Sequence, residues 1–485
     1  MELELRLDPD DASRLSRLKL LASATRGGRT QPQRIIWHDS PDCALTEHGM
    51  ALARERGVWR LEKLVPSATD TWAPGAPPPV LAEAAEVAEL GFDLPALLAP
   101  AVAFTGRHQT YALATAQGAV TLGLDRGSMR TITTEHAACR VHLSGDAQAV
   151  LHLALAVAGE VRAEVPSATL AGEALAVARA TVPAPRRSGA TSMPDGLDVA
   201  AAFAFVLAHL TDVILHFAPA AAEDVSGPEP VHQMRVALRR LRSAVTMFRQ
   251  FLDCPELEAA NAGLKALSAR LGPTRDWDVF LGETAPAVTA VFPNEPKLAR
   301  LIAAGGRRRR ECHAALCEFL GSAEFRRLGI ALSWLAGART WYPAQPEGAD
   351  QPVSLRDFAA GVLDRRLRKM ARTDDLAALE AAELHQLRLK AKRMRYAAEI
   401  FAPLYSGKAP RRFIHRLSLL QDALGQLNDR TTAEKLLAEL GGSAGRHAYA
   451  AGLVLGCATS GSATEVLPRV LRRWEKFQHT AAFWE

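Results

Sequence analysis

The chain has 485 residues and a mass of 52.2 kDa, with 48% hydrophobic and 23% charged residues. This balance excludes a mainly disordered, collagen-like or small disulfide-stapled chain, and at roughly 150 residues per domain it suggests two to four domains. The net charge of +5 conceals a division: residues 1–195 carry 19 Lys+Arg against 22 Asp+Glu, net −3, whereas residues 196–485 carry 39 against 31, net +8. A basic half joined to a mildly acidic one points to a polyanionic partner for the basic half.

The chain opens MELELRLD, which lacks the positive n-region and apolar h-region of a signal peptide. Strand-like runs dominate the first part: Glu2–Leu7, Arg34–His38, Val58–Val65, Ala101–Thr105, Thr110–Thr115, Ala119–Leu124 and Cys139–Leu143. Turns are expected at Arg56-Gly57, Arg126-Gly127 and Ser144-Gly145. Helices are expected near Asp11–Ala22, Leu81–Leu90 and Asp146–Val161, and the Pro-rich run Ala73–Val80 reads as a loop. Residues 1–180 therefore form one α+β domain, for which an antiparallel β-barrel is the expected architecture.

Residues 181–196 read TVPAPRRSGATSMPDG, a linker by composition. From residue 197 to 485 the pattern is helical, with eight to ten helices expected. Breaks fall at prolines and glycines, among them Pro219, Gly272-Pro273 and Pro286. The apolar stretches at 199–217 and 448–458 are interrupted by Asp212 or too short to span a bilayer. The six cysteines are scattered, with no C-x-x-C pair, and read as reduced thiols. A cytoplasmic location with no membrane partner is expected.

The helical half repeats itself. VHQMRVALRRLR from Val231 returns as LHQLRLKAKRMR from Leu384, at an offset of 153 residues. The register carries His232 to His385, Arg235 to Arg388, Arg239 to Lys392, Arg240 to Arg393 and Arg242 to Arg395. It continues through Leu264 and Leu417, Leu267 and Leu420, Leu271-Gly272 and Leu424-Gly425, and Asp276 and Asp429. Two copies of one helical unit, about 197–345 and 353–485, follow.

At about 100° per residue, His232, Arg235, Arg239 and Arg242 share one stripe, while Met234, Leu238, Leu241, Val245 and Phe248 form another. Residues 231–252 and 384–398 contain no Asp or Glu, so the cations lack acidic partners on their own helices. Like charges on one helix repel, and their clustering points to an anion. Protonation of the two histidines near neutral pH would add to that charge. Neither histidine has a second metal-ligating residue at i+3 or i+4.

The phrases VHQMRVALRRLRSAV and LHQLRLKAKRMRYAAEIF resemble the two signature helices of the CHAD family, the conserved-histidine α-helical domain. The likeness runs from about residue 197 to the C-terminus. It implies two pseudo-symmetric helical bundles and a basic cleft that binds inorganic polyphosphate. The binding residues it implies are His232, Arg235, Arg239, Arg240, Arg242, His385, Arg388, Lys392, Arg393 and Arg395. The run Arg307–Arg310, expected to open a helix, adds Arg308 and Arg309. Arg forks and Lys ammonium groups suit phosphate oxygens. Aromatic residues for stacking bases are not interleaved with the cations, which disfavours nucleic acid as the partner. Association with polyphosphate granules is the corresponding localisation.

Glu2, Glu4 and Arg6 share one face of the first strand, and carboxylates so placed suit Mg²⁺ or Mn²⁺. The segment resembles the E-x-E-x-K strand of the CYTH family, the triphosphate tunnel metalloenzymes. Further blocks at Ile35–Asp42, Gly49–Arg56, Val58–Lys63, Arg107 and Leu124–Gly127 carry the likeness over residues 1–180. It implies an eight-stranded tunnel binding triphosphates with a divalent metal, here through Glu2, Glu4 and Asp125. Arg6 stands where Lys is usual, and Arg140 and His142 stand where acids are expected, so the site reads as degenerate. The leading expectation is a polyphosphate-binding protein that needs no cofactor for binding. A metal-dependent triphosphatase or polyphosphatase and a nucleic-acid binder are the alternatives.

Overall fold

The computed structural model describes residues 1–21, 24–26, 30–66, 72–82, 98–183, 193–223, 227–252, 254–339, 354–371, 376, 379–442, 444–460 and 463–485. The strands are β1 (Glu2–Leu7), β2 (Thr25–Arg26), β3 (Gln31–Asp39), β4 (Met50–Glu55), β5 (Val58–Lys63), β6 (Val80–Ala82), β7 (Ala99–Thr115), β8 (Gly118–Arg130), β9 (Glu135–Gly145) and β10 (Ala163–Glu164). Short helices α1 (Ala12–Leu15) and α2 (Ala44–Glu47) interrupt them, and α3 (Ala147–Glu160) and α4 (Leu170–Ala178) follow β9 and β10. All pairings are antiparallel, in the order β10-β1-β9-β8-β7-β3-β4-β5-β6, with β2 beside β7.

The expected barrel is corrected: among the described residues no strand pairing joins β6 to β10, and the sheet is open. The free edge of β1 is occupied in another way. β10 reaches only Arg6 and Leu7, and the Glu4 amide donates to the carbonyl of Gly75. A loop thus takes backbone bonds that a closing strand would need.

Three other expectations for this region need correction. Arg126-Gly127 is not a turn but the middle of β8, where Gly127 faces Gly106 of β7. A Cβ on either would stand within 2.6 Å of the opposite backbone, so the glycines serve close approach under the Phe104 ring. Ala101–Thr105 and Thr110–Thr115 are accordingly one strand. The helix at Asp11–Ala22 is reduced to α1 flanked by 3-10 turns. The Arg56-Gly57 hairpin turn forms as expected, both residues having positive φ. Most of Leu81–Leu90 and of the linker lies outside the described residues.

The helical half holds, among the described residues, α5 (Val199–Glu223), α6 (Glu229–Phe248), α7 (Pro255–Val279), α8 (Ala285–Val291), α9 (Pro296–Leu320), α10 (Ala323–Ala338), α11 (Leu355–Ala371), α12 (Ala381–Phe401), α13 (Ala409–Glu439), α14 (Ala448–Ser460) and α15 (Ala463–Gln478). Pro219 and Pro273 lie inside α5 and α7 rather than ending them, and a π-helical turn at Phe280–Thr284 leads into α8. Burial of the flanking apolar residues outweighs the one backbone bond each proline removes.

The duplication is preserved in space. α6, the 3-10 turn Arg249–Phe251 and α7 recur as α12, the 3-10 turn Ala402–Leu404 and α13. Repeat-related Phe248 and Phe401 meet with ring centroids 6.1 Å apart, and Phe358 packs on both at 4.9 and 5.9 Å. The apolar stripe of α6 is buried throughout: Met234, Leu238, Leu241, Val245 and Phe248. Leu264, Leu267 and Leu271 of α7 are buried, as are their counterparts Leu417, Leu420 and Leu424.

The two halves share a core. One face of the sheet, with Leu3, Leu5, Leu122, Val141 and Leu143, packs on α3, and the same apolar cluster continues into α5, α6 and α10. The other face buries Trp37, Phe104 and Met129 against α4. Helix α5 is long and apolar enough to cross a membrane, but 89% of its most apolar stretch is buried inside the protein.

Candidate functional site

Helices α6 and α12 start under strong local control. Pro230 near the start of α6 fits a position with no intrahelical N–H bond, and Glu229 complements the helix dipole. Glu380 and Glu383 form a reciprocal capping box at the start of α12. With the apolar stripes fixed in the core, the cationic stripes are set on a common side.

Between α6, α7, α11 and α12 lies a cleft of about 1300 Å³. Its lining includes Arg235, Arg239, Arg242 and Arg249 from α6 and the turn after it. Lys265 of α7, Arg366 of α11, and Lys392 and Arg393 of α12 complete the cations, and Glu258 is the lone carboxylate among the described lining residues. Burial, then the charges of Arg388, Arg239, Arg235 and Arg395, push the Lys392 ammonium down to about 8. Two of these four arginines are on α6, so the repeat-related stripes lie within electrostatic reach of one another. Arg239 Nε and Ser243 Oγ, both on the lining, are buried without a hydrogen-bond partner.

Not every expected residue lines this space. Arg240 donates to Glu399 at 2.9 Å, and Arg395 pairs with the same carboxylate at 3.4 Å. Glu399 lies one residue past the acid-free stretch 384–398. The Arg240–Glu399 pair ties α6 to α12, and Arg395 braces that carboxylate from its own helix. Arg235 lines the cleft while pairing with Asp276 of α7 at 3.2 Å. Arg388, His232 and His385 are outside the lining, His385 being exposed. Burial and the charges of Arg275, Arg239 and Arg235 lower the His232 pKa against the pull of Glu229, so near neutral pH it adds less charge than an ordinary imidazole.

Arg308 and Arg309 stand apart from the cleft. The run 307–310 lies in the middle of α9 and does not open it. Gly305, just before the run, is a packing contact inside the helix, where a Cβ would sit 3.0 Å from the Trp277 ring. Arg308 pairs with Glu311 and Glu439, and Arg309 with Asp278 at 2.9 Å.

Sequence reasoning missed Arg249, Lys265 and Arg366. Arg249 continues the stripe seven residues beyond Arg242, which helical periodicity could have shown. Arg366 has no counterpart in the repeat, since the 153-residue offset leads to Val213.

In the first half, the residues suggested for a metal have other partners. Arg140, only 1% exposed, forms ion pairs with Glu4 at 2.7 Å and with Glu173 of α4 at 2.6 Å. Asp125 accepts from His108 at 2.5 Å and His142 at 2.9 Å. Burial alone would raise the Asp125 carboxyl, but the two imidazoles outweigh it and hold it below the ordinary carboxylate range. Glu2 is exposed. Among the described residues no three His, Cys, Asp or Glu side chains form a group that could hold a metal ion. Glu4 is taken up by the Arg140 guanidinium and Asp125 by two imidazoles, an arrangement that does not fit a divalent ion.

The helical half is thus an internally duplicated all-α domain whose two related helices present cations to one cleft. Residues 205–438 match the family model for the CHAD domain. The chain resembles the crystal structure of the CHAD domain from the plant Ricinus communis, with 29% sequence identity and a TM-score of 0.51. The match covers 62% of this chain and 98% of that one. A weaker likeness is to PptA from Streptomyces chartreusis, at 19% identity and a TM-score of 0.39, covering 57% of this chain and 97% of that one. No curated protein matches the chain. Residues 1–204 lie outside the family match.

Proposed function

We propose that the protein binds inorganic polyphosphate in the cleft between α6 and α12, and through it associates with polyphosphate granules in the cytoplasm. The observation that carries this reading is the convergence of Arg235, Arg239 and Lys392, from two repeat-related helices, on the lining of one cleft, where burial first and then the neighbouring arginines push the Lys392 ammonium down to about 8. Such a cluster is costly when empty, and a polyanion would relieve it. Guanidinium forks match phosphate oxygens, and the buried unsatisfied Arg239 Nε is a donor in want of an acceptor. The resemblance to the CHAD family supports the same ligand. Binding needs no metal.

The test is titration of the full-length protein with long-chain polyphosphate and, at matched salt, with single-stranded RNA. The triple variant Arg239→Ala/Arg242→Ala/Lys392→Ala should bind polyphosphate at least about a hundredfold more weakly, taking roughly 1 kcal/mol or more per lost charge-assisted contact. Its helix content should be unchanged. Unaltered affinity would reject the cleft, and equal affinity for RNA would favour a nucleic-acid binder.

A further inference from the structure

The cleft does not end at α12. A second pocket of about 360 Å³ lies between α11 and α12, lined by Arg365, Arg366, Lys369, Lys390 and Arg393 over an apolar floor of Met247 and Val362. Arg366 and Arg393 line both spaces, so the two adjoin across these side chains. Arg366 donates to the Arg393 carbonyl, which fixes the junction.

No carboxylate is among the described residues lining the smaller pocket. The acids nearest in sequence on α11 have other partners: Asp357 accepts from Ser354 Oγ at 2.6 Å, and Asp364 accepts from Trp484 Nε1 at 2.8 Å. Burial and the charges of Arg393 and Arg365 push the Arg366 guanidinium down to about 10. Five cations therefore share a small space with no acid on its lining.

The duplication shows that this pocket is an addition. At the 153-residue offset, Arg365, Arg366, Lys369 and Lys390 correspond to Asp212, Val213, His216 and Ala237. In the first repeat the matching helix, α5, is buried along most of its length in the core shared with the sheet half. Helix α11 instead buries one stripe, including Phe358, Val362 and Leu363, and leaves Arg365 and Lys369 exposed. Only the second repeat has a face available for such cations.

We infer that the α11–α12 pocket is a second phosphate subsite continuing the cleft, so that a linear polyphosphate is held along a track from α6, across Arg366 and Arg393, onto α11. This rests on the polyphosphate reading of the cleft and adds a dependence on chain length. A ligand as short as tripolyphosphate is held in the cleft alone, whereas a long chain engages both spaces. Occupying a second, linked subsite raises affinity without changing the first.

The experiment uses the full chain and the variant Arg365→Ala/Lys369→Ala/Lys390→Ala, titrated with tripolyphosphate and with long-chain polyphosphate over a range of salt. Long-chain affinity should fall about tenfold or more, and the slope of log K against log salt should shrink by about 2, each lost phosphate contact removing roughly 0.7–0.9. Tripolyphosphate affinity should change less than twofold. The charge-retaining variant Arg365→Lys/Lys369→Arg should bind the long chain like the parent protein. Unchanged long-chain affinity, or equal weakening for both ligands, would overturn the subsite while leaving the cleft intact. A parent protein that binds neither ligand would overturn the cleft reading itself.

Discussion

Lys392 is where the electrostatics of the cleft can be measured most directly. Burial and four arginines, two on its own helix and two across the cleft, depress it to about 8 from an ordinary value of 10.5. A bound polyanion supplies the missing negative charge and raises that pKa again. The complex then holds more protons than the free protein in a window that begins near pH 8. Polyphosphate affinity is therefore fully present below pH 8 and declines as pH rises through 8 toward the pKa in the complex. Up to about pH 9 the cleft arginines stay charged, Arg366 at about 10 included, and phosphate groups finish titrating near pH 6–7, so neither contributes between pH 8 and 9. Isothermal titration at pH 8.5 in buffers of different ionisation enthalpy should show proton uptake on binding. Lys392→Arg should bind with no uptake and with a flat profile between pH 7 and 9. A parent protein without uptake would show that the ammonium does not meet the ligand. His232 should add less charge near neutrality than an ordinary imidazole, because burial and Arg275 lower its pKa.

At the level of the element, α6 carries three stripes with different work. One is apolar and fixes the helix in the core. The second, Arg235, Arg239 and Arg242, lines the cleft. The third is Arg240, clamped with Arg395 of α12 onto Glu399. Arg240→Ala should therefore lower stability, by about 1–2 kcal/mol for a partly buried pair, while changing polyphosphate affinity little; Arg239→Ala should do the reverse. Denaturant unfolding and ligand titration of the two variants would separate these roles, and a large affinity loss in Arg240→Ala would return that residue to the binding face. The sequence made the first two stripes legible through the 3.6-residue period, and the 153-residue repeat identified α12 as the counterpart of α6. The third was illegible because Glu399 lies just past the acid-free stretch, and only the crossing of two helices brings it to Arg240. Likewise Gly127 and Gly305 have turn-like chemistry in one dimension but serve tight packing in three. Arg366 had no periodic or repeat signal, since its place depends on which face of α11 the fold leaves uncovered.

On the scale of the whole molecule, composition and the Pro/Gly-rich stretch at 181–196 read as two domains on a linker, while the structure buries them in one core. Helix α3 is the junction, with the sheet on one side and α10 on the other. Trp334 of α10 is fully buried, and its indole N–H donates to the Ala147 carbonyl at 2.7 Å. Arg326 and Arg327 donate to the carbonyls of Ala158 and Leu155 at the other end of α3. An apolar interface of this kind couples the unfolding of the parts it joins, because separating them exposes Leu and Phe surface on both sides. Full-length protein should then unfold in one cooperative transition, with Trp fluorescence and far-ultraviolet circular dichroism coinciding. Trp334→Ala should destabilise by about 3–5 kcal/mol, the cost of a large cavity and the lost indole hydrogen bond, and should shift both signals together. If the variant instead splits the transition, with sheet and helices melting separately, the halves are independent domains and α3 is only a contact. A single shifted transition means that the sheet half, whose Glu4 pairs with Arg140 and whose Asp125 accepts from His108 and His142, acts as the support on which the first repeat is built. Helix α10, which rests on α3, packs against α5, so the face of the first repeat that matches α11 is filled by protein and the cationic track extends only over the second repeat.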